Sequence, residues 1–302
     1  MRLLRRNPCI RTIVKIGINA VATGNAPATQ TIFQIVRKVF LTGASSGIGL
    51  ATAKLLVAQG HEVWGTSRDL ERISKMPGWH PVRLDLGDPL CVEEAFNAAL
   101  TEAGYFDVLI NNAGAGHFGP AEIVPMETIA SQFQILVFGQ IQLMRLALRG
   151  MQTRGEGLII NVTSLASRLP VPFMAAYNAA KAAMASFTMS IQLELADSRV
   201  YVVDLQPGDI CTQFNHSVIK STKADRRYDA KIARTWEVVE RNMKNAPTPD
   251  LVAWHVLRLI NAVRPPPRVT VGDAFQSKIA PLIFRFLPQP VRIWGLKRYY
   301  RL

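Results

Sequence analysis

From Lys38 onward, short β-branched runs alternate with longer apolar-periodic segments, the pattern of a parallel sheet whose strands are joined by crossover helices. The runs predict seven strands, at Val39–Thr42, Glu62–Thr66, Pro81–Asp85, Val108–Asn111, Leu158–Thr163, Val200–Gln206 and Arg268–Val271. The segments between them predict helices over about 48–59, 89–103, 127–153, 175–197 and 251–262. Gly60 suits the position just past the first helix, where a left-handed backbone is wanted, and Thr248-Pro249 offers a cap and first-turn pair for the last. Neither a repeat nor a Pro/Gly-rich linker divides this body. The expected fold is therefore α/β, a single doubly wound domain over 37–272. Right-handed crossovers line the strand C-termini along one edge, where a ligand crevice forms.

Three stretches fall outside this rhythm. Residues 212–247 are polar and interrupted, with Lys220, Lys223, Arg226, Arg227 and Lys231 set among Asp225 and Asp229, and read as a lid following the sixth strand. Residues 273–302 form a tail in which Phe275–Leu302 mix large apolar side chains such as Phe284, Phe286, Trp294 and Tyr299 with bases only, and residues 1–36 form an Arg-rich extension. None of them holds the ~20 consecutive apolar residues needed to span a bilayer.

Charge sharpens that division. The 302 residues are 49% hydrophobic and 19% charged, which excludes wholesale disorder. The net charge is +13. Residues 1–40 carry seven bases and residues 274–302 six, neither with an acid, so the body between is neutral. Basicity confined to two tails argues against a nucleic-acid-binding domain, whose basic stripe would cross its own fold, and for tails that meet an anionic membrane surface. A transit peptide is a second reading of the N-terminal extension, which would make the protein mitochondrial and not cytoplasmic. Cys9, Cys91 and Cys211 are too scattered for a disulfide framework or zinc set, and suit a reducing compartment. The histidines show no ligand spacing, so no metal site is expected; His117 is a candidate crevice residue, as are Phe173, Met174 and Met184 for an apolar pocket wall.

The first strand runs into Thr42-Gly43-Ala44-Ser45-Ser46-Gly47-Ile48-Gly49 and then a helix. Glycines let backbone amides approach a pyrophosphate, and the helix N-terminus adds partial positive charge. After the second strand comes Ser67-Arg68, where an acid would bind a ribose 2′-hydroxyl; an Arg suits a 2′-phosphate, which favours NADP over NAD, although Asp69 stands next door. The third strand ends at Asp85-Leu86, the fourth at Asn111-Asn112-Ala113-Gly114 and the fifth at Thr163-Ser164. Tyr177 and Lys181 follow at i, i+4, on one helical face.

With TGxxxGxG, the NNAG of 111–114, a Ser thirteen residues before YxxxK, and Pro207-Gly208 followed by Thr212, the chain resembles the short-chain dehydrogenase/reductase family over about 37–272. The resemblance implies a Rossmann fold with a seven-stranded parallel sheet and helices on both faces. It implies Tyr177 as general acid in carbonyl reduction and base in alcohol oxidation, Lys181 lowering its pKa and holding the nicotinamide ribose, and Ser164 bonding the reacting oxygen. It implies a cofactor site of Gly43, Ser45, Ser46, Gly47, Ile48, Gly49, Arg68, Asp85, Leu86, Asn111, Ala113, Gly114, Pro207, Gly208, Ile210 and Thr212, with Tyr177 and Lys181. A phenol of ordinary pKa near 10 becomes a useful proton donor when a cation depresses it.

One position departs from the family. Many members carry an Asn, part of a proton relay, where the stretch Phe133–Gly139 places Leu136; Gln132 and Gln140, a turn to either side, are candidate substitutes. The expectation is an NADP-dependent oxidoreductase interconverting a lipophilic ketone and secondary alcohol, of steroid, retinoid or long-chain keto-lipid type, working as a homo-oligomer. The alternative is a nucleotide-binding scaffold of the same fold with weak or no catalysis.

Overall fold

The computed structural model describes residues 35–74, 76–213, 218–220 and 227–302. The readings made of the extension before residue 35 lie outside the described residues, as does part of the 212–247 stretch.

The strands are β1 (Lys38–Leu41), β2 (Glu62–Ser67), β3 (Trp79–Arg83), β4 (Val108–Asn111), β5 (His117–Phe118), β6 (Gly157–Val162), β7 (Val200–Pro207), β8 (Ile219–Lys220) and β9 (Arg268–Val271). Seven of them form one parallel sheet in the order β3-β2-β1-β4-β6-β7-β9, and β5 pairs with β8 apart from it. The order reverses between β1 and β4, so the loops leaving those two strands face one crevice.

Alternation along each strand sends neighbouring side chains to opposite faces. Phe40, Leu109, Ile159 and Val202 enter one core, while Val39, Leu41, Val108, Ile110, Leu158, Ile160, Val203 and Leu205 enter the other. The first core is closed by α2 (Pro89–Ala103), α4 (Gly139–Arg154) and α5 (Ala175–Glu194), the second by α1 (Gly47–Ala58) and α7 (Pro249–Asn261). Each buried Phe or Leu contributes about 1.5–3 kcal/mol, so β1, feeding both layers, ties the domain together.

Local chemistry sets the helix ends. The Asp88 carboxylate caps α2 by accepting from Leu90 and Cys91 N–H, Pro89 occupies its first turn, and Gly104 leaves it at φ +75°. Gly60 takes φ +75° after α1. Thr248 does precede α7, but its hydroxyl bonds the Asp250 carboxylate at 3.1 Å instead of capping a backbone amide.

Three expectations change. The single helix over 127–153 is α3 (Met126–Phe133), a π-helical turn at Gln134–Phe138, and then α4. Within the stretch read as an irregular lid, Asp229–Asn245 form a regular helix, α6, and β8 docks on β5. The tail is helical as well: a π turn at Phe275–Ile279, α8 (Ala280–Phe286) and α9 (Gln289–Tyr299).

Candidate active site

The loop from β1 into α1 is a turn that only glycines can make. Gly43 and Gly47 hold φ of +69° and +53°, and a Cβ on Gly43 would lie 2.9 Å from Ala113 Cα. A Cβ on Gly49 would collide with the Gly43 carbonyl and the Asn112 amide. Thr42 Oγ1 accepts from the backbone N–H of both Asn112 and Ala113 at 2.9 Å, and Asn112 Nδ2 donates back to Thr42 O at 2.9 Å. The two loops at the switch point are thus clamped together. Ser46 caps α1 by position, yet its side chain bonds no helix amide, and the first turn carries no acid. Those first-turn amides, beside a cradle that any side chain would fill, fit a pyrophosphate. Thr212 closes the far side, 3.5 Å from where a Cβ on Gly47 would stand.

Around this cradle the expected residues take distinct places. Arg68 is exposed just past β2 and makes no ion pair with another described residue, while the Asp69 carboxylate accepts from Glu71 N–H at 3.0 Å and caps the short turn Leu70–Arg72. Asp85 is half-buried and accepts from Gly87 N–H at 2.9 Å; Leu86 is buried in the first core. The Asn111 side chain is fully buried, donating to Asn161 Oδ1 at 2.9 Å. Ile210 is buried in the second core, Ile48 packs against it, and Gly208 lies against Gln276 of the tail.

Ser164, Tyr177 and Lys181 converge. Ser164 leaves the end of β6, where its Oγ accepts from Ala166 N–H at 3.0 Å, approaches Pro207 O at 3.5 Å, and hydrogen-bonds Tyr177. One turn along α5, Lys181 Nζ donates to Val162 O at 2.7 Å and stands 5.9 Å from the Tyr177 ring. Burial works against the expected lowering of the phenol. Burial pushes Tyr177 up to about 12, against the pull of the Ser164 hydrogen bond. Burial likewise lowers Lys181 to about 8, opposed by the Asp204 charge. Desolvation disfavours both charged forms and outweighs the Ser164 hydrogen bond in one case and the Asp204 charge in the other.

Asp204 is a buried charged neighbour of Lys181 that sequence reasoning missed. It is buried in β7 and accepts from Thr163 Oγ1 at 2.5 Å, Gln206 Nε2 at 2.7 Å and Arg268 Nε at 2.8 Å. The signal was present: two polar residues at i, i+2 inside an apolar strand, Val203-Asp204-Leu205-Gln206, must share one polar side. The relay position also resolves. Leu136 is fully buried in the first core, lying over Gly114. Gln140 spends its Nε2 on Ala113 O at 2.8 Å, whereas the buried amide of Gln132 finds no partner among the described residues.

Beside Tyr177 lies a separate apolar cluster built from Phe118, Met174 and Val218, against which Phe173, Tyr177 and Trp236 pack. Phe118 stands 4.8 Å from the Trp236 ring of α6 and 5.7 Å from Phe173, whose backbone is left-handed at φ +63°. Met184 belongs to the first core and not to this wall. His117 is buried within β5, and burial lowers its pKa. Among the described residues no group of His, Cys, Asp and Glu is placed to hold a metal ion.

The Lys181 environment carries a pH signature. An unfolded lysine holds its proton to about 10.5, so between about 8 and 10 the unfolded chain binds more protons and stability rises with pH; above 10 the raised Tyr177 reverses the trend. Urea unfolding at pH 7.5 and 9.5 should show wild type gaining on Lys181→Met by about 2 kcal/mol. An unchanged difference would mean that Lys181 is hydrated in the folded state.

The short chain dehydrogenase family model matches residues 37–223, and the chain belongs to that family of oxidoreductases, which act on carbonyl and alcohol groups. It is 30% identical to the 3-ketodihydrosphingosine reductase of Bacteroides thetaiotaomicron, over 87% of this chain and 97% of that one. It is 34% identical to an NADPH-dependent 1-acyldihydroxyacetone phosphate reductase of Schizosaccharomyces pombe, over 58% of this chain and 60% of the relative. Among solved structures, a short-chain dehydrogenase from Streptomyces avermitilis superposes with a TM-score of 0.73 at 26% identity, covering 88% and 96% of the two chains.

Proposed function

We propose that this protein is an NADPH-dependent reductase of a lipophilic ketone of the long-chain keto-lipid type, running in reverse as a secondary-alcohol dehydrogenase. The observation that carries the reading is the meeting of Ser164, Tyr177 and Lys181 beside the apolar Phe118–Met174–Val218 cluster. The names of the two relatives support the same substrate class. The glycine cradle and the α1 amides would hold the pyrophosphate, and Thr212 with the turn after Pro207 would border the nicotinamide. When bound, the dinucleotide supplies hydride to the carbonyl carbon.

The remaining work belongs to the chain. Tyr177, protonated in this site, gives its phenolic proton to the carbonyl oxygen, and the Lys181 charge eases the loss of that proton against the effect of burial. Ser164 donates a hydrogen bond where negative charge develops. Lys181, anchored on Val162 O with Asp204 nearby, holds a positive charge behind the phenol. The apolar wall excludes water and orients an aliphatic substrate. In this reading the protein works as a homo-oligomer at a membrane surface, with no spanning helix required.

Arg68 is the NADP determinant in this proposal, exposed just past β2, while the Asp69 carboxylate is held by its capping bond to Glu71 N–H. A charged hydrogen bond of 1.5–3 kcal/mol sets the scale, so Arg68→Ala should raise the KM for NADPH ~10–100-fold and leave NADH within a few-fold. Equal effects on both would remove Arg68 from the site. The primary test is titration with NADPH and NADH, then turnover on a panel of hydrophobic and small polar ketones. Turnover of the polar ketones alone would overturn the substrate class. The buried Leu136 in place of a relay Asn is the observation behind the scaffold reading; tight NADPH binding without turnover on any ketone would leave an untested substrate or a crippled relay, and activity gained by Leu136→Asn would identify the relay.

A further inference from the structure

Half of the large apolar side chains left exposed among the described residues fall between Phe275 and Leu302. Phe286 on α8 and Trp294 on α9 are 68% and 65% exposed, with Leu282 and Ile293 also open to solvent. Interleaved with them are six bases and no acid. Pro290, Ile293 and Trp294 line a shallow groove with Lys297 at its rim.

This surface is fixed to the body beside the site. Gln276 accepts from Asp209 N–H at 2.9 Å and donates to the Asp209 carboxylate at 2.7 Å, directly after Pro207-Gly208. Tyr299 accepts from Asn242 Nδ2 at 2.7 Å, which ties α9 to α6. The same α6 carries Trp236 against Phe118 at the apolar cluster. Ala280 and Tyr300 are buried, so the pair is anchored while its apolar residues remain outside.

We propose that α8 and α9 form a docking surface for an anionic phospholipid bilayer, seated beside the entrance to the Tyr177 site. Charge decides among occupants. A second copy would bring the same six bases, and residues 1–34 of this chain carry bases and no acid, so either would be repelled. An anionic headgroup layer matches the bases, and the aromatic residues suit the headgroup boundary. A nucleic acid would match the bases but leave Leu282, Ile293 and Phe286 without use. That the surface delivers substrate rests on the ketone-reductase reading; the docking itself does not.

The test is co-sedimentation of the full chain with vesicles of phosphatidylcholine alone or with 30% phosphatidylglycerol. Four bases meeting the anionic surface imply at least ~100-fold tighter binding to the mixed vesicles, falling steeply in 0.5 M salt. Arg285→Glu/Lys297→Glu/Arg298→Glu should abolish it, and the milder Phe286→Ser/Trp294→Ser should weaken it ~10-fold or more, both with an unchanged melting temperature. Arg2→Gln/Arg5→Gln/Arg6→Gln should retain most of it. Loss in that N-terminal variant alone, equal binding to both vesicles, or tighter binding to DNA than to vesicles would each overturn the proposal. Because binding is read without turnover, vesicle capture by a chain that reduces no ketone would leave the docking intact and remove only the reductase reading.

Discussion

Tyr177→Phe is expected to cut ketone-dependent NADPH consumption by about 10²–10⁴-fold, the range a positioned proton donor supplies. NADPH affinity should change by only a few-fold, since the ring stays packed against Phe118, Met174 and its helix neighbours. Removing the hydroxyl also frees Ser164, whose Oγ keeps Ala166 N–H and Pro207 O as partners, so folding stability should be nearly unchanged. Stopped-flow turnover set against a fluorescence titration of the same preparation separates the effects. Loss of NADPH binding in the variant would make Tyr177 structural, and full activity would transfer the proton to another group.

Gly49→Ala should be the most damaging change outside the reacting residues. The new methyl would overlap the Gly43 carbonyl and the Asn112 amide, and that amide is one of the clamps between the two loops. Overpacking against backbone costs about 1–3 kcal/mol, and each forfeited hydrogen bond about 1 kcal/mol more. Thermal melting should fall by several degrees, with NADPH affinity lowered ~10-fold or more as the cradle opens. Gly150→Ala is the control: this helical glycine in α4 has open space around it, so alanine should stabilise by about 0.5–1 kcal/mol. A Gly49→Ala protein that melts and binds like wild type would mean that the loop yields freely.

Elements whose periodicity is intrinsic were legible. Val108–Asn111, Arg268–Val271 and the helix 89–103 fall where the sequence puts them: β4 is apolar toward both cores, and the helix turns one apolar face inward between its Asp88 cap and Gly104. The β3 start at Trp79 was hidden by Pro81, which an edge strand tolerates. The π turn at Gln134–Phe138 adds a residue per turn without disturbing the apolar count, so the segment reads as plain helix. In α6 and α8–α9 the polar or mixed faces follow tertiary anchors such as Asn242–Tyr299, which no local pattern encodes. At the site, Ser164, Tyr177 and Lys181 were legible by spacing and do converge. Their proton affinities were not, because these follow from burial, and Asp204 acts through strand pairing across forty residues.

The left-handed backbone of Phe173 bears on how the entrance opens. A bulky residue at positive φ holds about 1–3 kcal/mol of strain, and it persists only where surrounding contacts over-determine it. Those contacts are rings, Phe118 on one side and Tyr228 on the other, the latter at the start of α6. On the proposed reading, parting the rings to admit a substrate would let that strain relax as it exposes apolar surface, so the two costs would partly cancel. The wall beside Tyr177 would then be spring-loaded: a greasy chain that took the place of its aromatic neighbours would displace less stability than the number of rings suggests.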